Sequence, residues 1–286
     1  MVTPFGADGS VDFDVAAKLA MFLVGEGCEG LVVAGSTGEG SSLSDEEKLD
    51  LFACVAEAVT VPVLAGSTFA NTQQSVALTS QVKATGAAGV LATTPAYARP
   101  NQAGIAAHFG AIAESTTLDV MLYDHPARTG RKINSATTID LVKKYKNIIA
   151  LKDASGDVVS AAHTKAVLGE ELDLYSGDDA LVLAFLAIGA VGIVSVAAHW
   201  ATPEIVGIVR AFEKGKLDKA QKLFERAAPS FSFESTENYP NPMPSKAAMR
   251  VLGFNVGECR LPHGPSDLDL DRTAAEIVTS LKNARG

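Results

Sequence analysis

Cysteine is scarce in this 286-residue chain: Cys28, Cys54 and Cys259 lie far apart and form no C-x-x-C pair. That excludes a disulfide-built miniprotein and fits free, mostly buried thiols in a reducing compartment, so the cytoplasm is the expected location. Positive charge is also in short supply. With 24 Lys and Arg against 33 Asp and Glu, the net charge of −9 leaves no basic field for a phosphate backbone, and nucleic acid is not an expected partner. Metal-ligand spacing is missing as well. His108, His125, His163, His199 and His263 show no H-E-x-x-H or related pattern, so no metal is expected. The opening Met1-Val2-Thr3-Pro4-Phe5 has neither the basic nor the apolar region of a signal peptide. Ala180 to Ala198 carries no charge, but Gly189 and Gly192 divide it, which predicts a buried helix running into a buried strand and no membrane span.

What is present is a globular composition, 47% apolar and 20% charged, arranged as a repeat. Short apolar runs recur at Leu31 to Ala34, Val61 to Ala65, Val90 to Ala92, Val120 to Tyr123, Ile148 to Leu151, Leu172 to Tyr175 and Ile193 to Val196. Their starts are about 30 residues apart through the first five, the length of a strand plus a crossover helix. Three runs share a preface, Gly27-Cys-Glu-Gly30, Gly86-Ala-Ala-Gly89 and Gly189-Ala-Val-Gly192, in which one glycine ends a helix and the next enters a strand. Between the runs, Ser44-Asp-Glu-Glu47 reads as a capping box ahead of Leu49, Phe52, Val55 and Val59, and Thr202-Pro203-Glu204 reads as a helix start. Near-continuous apolar strands imply a parallel sheet covered on both faces. With Val2 to Phe5 as an eighth strand, the expected fold is an eight-fold β/α barrel over residues 1–215, followed by a C-terminal helical region over 216–286. Because that first strand would begin at Met1 itself, its lower end is expected to be missing.

In such barrels chemistry collects where strands end. Gly35-Ser36-Thr37-Gly38-Glu39 follows the first of these runs, Thr93-Thr94-Pro95-Ala96-Tyr97 the third, Tyr123 closes the fourth with Arg128 just beyond, and the fifth runs into Lys152-Asp153. A lysine ending a buried strand meets the barrel axis, where desolvation favours the free amine that attacks ketones. The resulting iminium withdraws electrons from the neighbouring carbon, the chemistry of a class I aldolase. The alternative is a solvated lysine capping a strand. Tyr123, on the preceding strand, is placed to pass protons, or else is a rim tyrosine with one hydrogen bond. Ser36 and Thr37 sit in a glycine-flanked turn able to present hydroxyls and N–H groups to a carboxylate. Gly25-x-Gly27-x-x-Gly30 matches the letter of a dinucleotide fingerprint, but it precedes a strand instead of joining strand to helix, and no nucleotide is expected there. Asp178-Asp179 reads as a helix cap.

Together these segments resemble the dihydrodipicolinate synthase and N-acetylneuraminate lyase family. The resemblance runs over nearly the whole chain: V-T-P-F at 2–5, G-S-T-G-E at 35–39, T-P-A-Y at 94–97, Y-D-H-P-A-R-T-G at 123–130, L-K-D-A-S-G at 151–156, S-G-D-D at 176–179 and G-I-V-S-V at 192–196. It implies a Schiff base between Lys152 and pyruvate, and a proton relay of Tyr123, Thr37 and Tyr97. In relatives the equivalent of Tyr97 comes from an adjacent subunit, so a homotetramer built from tight dimers is implied. Ser36 and Thr37 would hold the pyruvate carboxylate, the backbone of Val194 would face it, and Gly177 would lie in the loop beside the nucleophile.

Within the family, the Tyr-x-x-Pro-x-Arg pattern ending at Arg128 resembles the synthase branch, where a guanidinium suits the carboxylate of L-aspartate 4-semialdehyde. The implied reaction condenses that aldehyde with pyruvate to 4-hydroxy-tetrahydrodipicolinate, in lysine synthesis by the diaminopimelate route, with no cofactor. Ser36 beside Thr37 is nearer the lyase form of the turn, which keeps a sugar-acid aldolase as the alternative substrate reading. A non-catalytic ligand-binding barrel is the alternative from another class. Where relatives inhibited by lysine carry histidine, asparagine, glutamate and tyrosine, this chain has Asp45, Lys48, Ala70, Gln74 and Ala96, so weak or absent lysine feedback is expected.

Overall fold

The computed structural model describes residues 1–285, which form two compact units: residues 1–62 with 195–285, and residues 63–194. The strands are β1 (Leu31–Val33), β2 (Val63–Gly66), β3 (Gly89–Thr93), β4 (Asp119–Asp124), β5 (Ile148–Asp153), β6 (Asp173–Ser176) and β7 (Gly192–Ile193). β1 belongs to the first unit. In the second, β2 to β7 pair in parallel and in chain order, each neighbour reached through a helical crossover. β3 and β4 are buried along almost their whole length, as strands covered on both faces must be.

Glycine punctuates the repeat as its spacing predicts. Gly27, Gly86 and Gly189 all take positive φ, at 117°, 83° and 96°, the left-handed turn that stops a helix before the next strand. Side-chain caps then start the helices of the second unit: Asn71 accepts from the N–H of Gln74, Asn101 from Gly104 and Asp157 from Ser160, all at 2.9–3.1 Å. The uncharged stretch resolves into the helix Val182–Ala187 and β7, and Asp178 accepts from the Ala180 N–H as a cap. No helix among the described residues is long and apolar enough to cross a membrane.

The first unit is largely helical. The Ser44 capping box forms with both bonds, Glu47 N–H to Ser44 Oγ at 3.1 Å and Ser44 N–H to Glu47 Oε2 at 2.9 Å. Its helix, Asp45–Ala58, buries Lys48, Leu51, Phe52 and Val55; the expected Leu49 and Val59 lie only half-buried beside that stripe. Burial pulls the Lys48 ammonium down to about 8, against the nearby charge of Asp45. Among the described residues beyond 216 the regular elements are helices, Leu217–Phe233, Met243–Val251 and Leu268–Arg285.

Three expectations fail locally. Val2 to Phe5 makes no ladder, because the Val2 N–H donates to Nε2 of His199 at 3.0 Å and Phe5 forms only an isolated bridge with Val11. The run Ile193 to Val196 is cut short after Ile193, since Ser195 Oγ accepts from the Ala198 N–H at 2.8 Å and opens the next helix. That helix, Ala198–Glu213, starts before Thr202 and kinks at Ala201 (φ −118°), just ahead of Pro203.

His199 is the clearest pH-sensitive element of the first unit. Its Nε2 accepts from Val2, so Nδ1 carries the proton and donates to the Val196 carbonyl at 2.8 Å. Burial, helped by the N-terminal ammonium and opposed by the Val196 bond, pulls its pKa from 6.5 to about 3. The unfolded chain therefore binds the extra proton first, and stability is lost as pH falls from about 6.5 toward 3. Asp124, raised to about 7 by burial, contributes with the opposite sign. As pH drops across that window, the urea midpoint of the wild type should fall relative to that of the His199→Gln variant; parallel profiles would refute the assignment.

Candidate active site

β4 and β5 fix the centre of the second unit. Their register runs Val120 with Ile148, then Met121 with Ala150, Leu122 with Leu151, Tyr123 with Lys152 and Asp124 with Asp153. The skipped residue is Ile149, 37% exposed, so a bulge there advances β5 by one position. Without it Tyr123 would face Leu151. With it, Tyr123 and Lys152 end their strands side by side on one face, and Lys152 Nζ sits 4.2 Å from the centroid of the buried Tyr123 ring.

Alternation sends Asp124 and Asp153 to the opposite face. Both are buried, and burial raises both carboxyls. Asp124 accepts from the Ile133 N–H at 3.2 Å and Asp153 from the Ser155 N–H at 2.8 Å, so they fasten the loops that follow the strands. His125 packs its ring against Tyr123, centroids 5.7 Å apart. Burial pulls His125 down to about 4, with the positive charges of Arg128 and Lys152 adding to the effect. Arg128 therefore lies within electrostatic reach of this corner, on the exposed side of the one-turn helix Pro126–Thr129. The N–H of Gly177 donates to the Asp153 carbonyl at 2.7 Å and that of Val194 to the Ser176 carbonyl at 2.9 Å. A Cβ at Gly177 would stand 2.8 Å from that of Ala154, which explains the glycine. Tyr97 is the exception: it is 96% exposed, with φ at +68°, and this chain leaves its ring to solvent.

Ser36 and Thr37 belong to the first unit, in the turn after β1. The turn is closed by Glu39 N–H to the Ser36 carbonyl at 3.1 Å and Gly40 N–H to the Gly35 carbonyl at 3.1 Å. Position 40 must be glycine, because a Cβ would fall 2.0 Å from the Ala34 carbonyl oxygen. Glu39 adopts the left-handed region (φ 53°), a conformation of some cost in a non-glycine residue, and is held there from below. Its carboxylate meets Lys246 Nζ at 2.7 Å, both side chains fully buried, and accepts from the Arg260 N–H at 2.8 Å. Lys246 also donates to the Glu258 carbonyl at 2.8 Å. The Phe5 ring has Lys246 Nζ 4.0 Å and Arg260 Cζ 4.4 Å from its centroid. Thr37 Oγ1 accepts from Asn241 Nδ2 at 2.9 Å.

Sequence reasoning missed Lys246 and Asn241. The signal for Lys246 was one cation in the otherwise uncharged Met243–Met249 stretch, where a buried charge requires a partner. No group of His, Cys, Asp and Glu side chains among the described residues is arranged to hold a metal ion.

The profile of the dihydrodipicolinate synthetase family matches residues 1–281. The chain is 40% identical over 286 residues to 4-hydroxy-tetrahydrodipicolinate synthase of Synechococcus elongatus, covering 98% of this chain and 94% of that protein. It is 43% identical over 264 residues to the enzyme of the same name from Moorella thermoacetica, covering 92% and 89%. Among solved structures, dihydrodipicolinate synthase from Bacillus anthracis superposes with a TM-score of 0.94 at 39% identity, covering 98% and 96% of the two chains. That of Cyanidioschyzon merolae, solved with lysine bound, gives 0.95 at 36% identity, covering 99% and 96%.

The buried ion pair beneath the Ser36–Thr37 turn has a direct test. Lys246→Met leaves Glu39 charged and unpaired, which should cost about 3–5 kcal/mol in urea denaturation. Adding Glu39→Gln should recover most of that loss; a double variant as unstable as the single one would show that the pair does not carry the effect.

Proposed function

This chain belongs to the dihydrodipicolinate synthetase family, and on that premise we propose that it condenses pyruvate with L-aspartate 4-semialdehyde to 4-hydroxy-tetrahydrodipicolinate, in the cytoplasm, as a step of lysine synthesis by the diaminopimelate route. The observation that carries the reading is Lys152 Nζ against the Tyr123 ring at the paired ends of β4 and β5. The architecture that goes with it is an eight-fold β/α barrel over residues 1–215 in which Val2 to Phe5 takes the eighth position as a segment without a ladder, residues 216–286 forming a helical appendage.

Lys152 attacks the pyruvate ketone, and loss of water leaves an iminium that acts as the electron sink, so the reaction needs no metal or organic cofactor. A methyl proton departs to give the enamine, whose carbon adds to the aldehyde. The amino group of the second substrate then closes the ring on the iminium carbon and expels Lys152. Tyr123 moves the protons of these steps with Thr37 and Tyr97. Ser36, Thr37 and the backbone at Val194 hold the pyruvate carboxylate, Gly177 gives the loop beside Lys152 its close approach, and Arg128 pairs with the carboxylate of the aldehyde substrate. Tyr97 acts in the site of a second copy, within a dimer of a homotetramer; its near-complete exposure and positive φ support a residue that finds its contacts outside its own chain.

Borohydride reduction in the presence of pyruvate should fix a three-carbon adduct on Lys152, and Lys152→Ala should lose both adduct and turnover. Normal turnover in Lys152→Ala would overturn the mechanism. With pyruvate held constant, L-aspartate 4-semialdehyde should be consumed and N-acetylmannosamine should not; the reverse preference would move the chain to sugar-acid chemistry. Millimolar lysine should leave the steady-state rate nearly unchanged, whereas inhibition at micromolar lysine would overturn the expectation drawn from Asp45, Lys48, Ala70, Gln74 and Ala96.

A further inference from the structure

The Pro-rich breaker Tyr239-Pro-Asn-Pro-Met-Pro244 has no part in the chemistry above, yet it delivers one polar side chain to the turn after β1. Asn241 is 6% exposed and lies between the helices Leu217–Phe233 and Met243–Val251. Its backbone N–H donates to Ser235 Oγ at 3.3 Å, and its Oδ1 accepts from Ser245 Oγ at 3.3 Å, Ser245 being fully buried one turn further on. Its Nδ2 donates to Thr37 Oγ1 at 2.9 Å. Breaker, serine and helix start thus hold one amide with its donor edge toward one hydroxyl.

We propose that Asn241 is a positioning residue for Thr37, fixing the direction in which that hydroxyl passes a proton. The inference rests on the reading of Thr37 as a relay member. A hydroxyl has one proton and two lone pairs. An amide donor occupying one lone pair leaves one acceptor and one donor, the least that a group needs to take a proton on one side and release it on the other. It also removes rotor freedom, because the hydroxyl proton can no longer point toward residue 241. An acceptor in that place would do the reverse: it would capture the Thr37 proton and leave the hydroxyl unable to donate onward. The side chain at 241 therefore has to be a donor of this length, and asparagine held by Ser245 supplies one.

The experiment compares the full-length wild type with Asn241→Asp, Asn241→Ala and Thr37→Val, each alone and each position-241 change combined with Thr37→Val. Asparagine and aspartate have nearly the same shape, so Asn241→Asp isolates the donor. Both position-241 variants should lower kcat on the order of 10- to 100-fold, the scale of a misplaced catalytic group, with KM for pyruvate within about twofold. In the Thr37→Val background the same changes should move kcat by less than about twofold, because the hydroxyl they act through is gone. A purely structural role would lower kcat equally in both backgrounds. Wild-type kcat in Asn241→Asp would overturn the proposal while leaving the Schiff-base mechanism intact. Failure of borohydride trapping in the wild type would instead strike that mechanism. A readout independent of turnover is the crystal structure of Asn241→Ala: Thr37 should appear in a changed χ1 rotamer or in several, and one unchanged rotamer would overturn the proposal.

Discussion

The bulge at Ile149 sets the phase of everything that follows it on β5. Parallel neighbours in register point their side chains the same way, and a shift of one position exchanges the two faces of a strand. One unpaired residue thus decides that a lysine, and not a leucine, lies opposite the phenol of β4. The same phase turns two carboxylates away from Lys152 and into backbone N–H groups of the following loops. The strand ends therefore separate two faces, one that brings Lys152 against the Tyr123 ring and one that fastens loops.

A different device governs the turn after β1. Backbone closure at Gly35 and Gly40 shapes it, but the left-handed conformation of Glu39 needs support, which comes from a buried ion pair lying against an aromatic ring. Such a pair returns little net stability, because removing both charges from water offsets most of their attraction. What it supplies is geometry: the carboxylate has one place to go, and the residues before it are carried with it. Asn241 then adds a contact from a segment 204 residues away in sequence.

Legibility in the sequence tracked the range of the interactions. The glycine pairs, the Ser44 capping box and the polar residues ending each apolar run were readable because backbone conformation and capping depend on residues a few positions apart. Lys152 and Tyr123 were readable for the same reason, each marking the end of its own strand. Val2 to Phe5 misled because an apolar run does not reveal whether its N–H groups meet a strand or an imidazole. The kink at Ala201 and the early end of β7 were hidden because local side-chain bonds overrode the apolar pattern. Asn241 and Lys246 lay beyond reach because their partners, Thr37 and Glu39, are some two hundred residues distant.

Arg260 illustrates what a discontinuous unit demands. Its guanidinium binds the Gly9 and Ser42 carbonyls and the Glu47 carboxylate, while its N–H binds Glu39. None of these bonds can exist on the ribosome until residue 260 has been translated and has cleared the exit tunnel. Residues 63–194, by contrast, are contiguous, and all of their internal pairing is available while the rest is still being made. The nascent first sixty residues must wait, partly unsatisfied, for more than half of the chain to be synthesised.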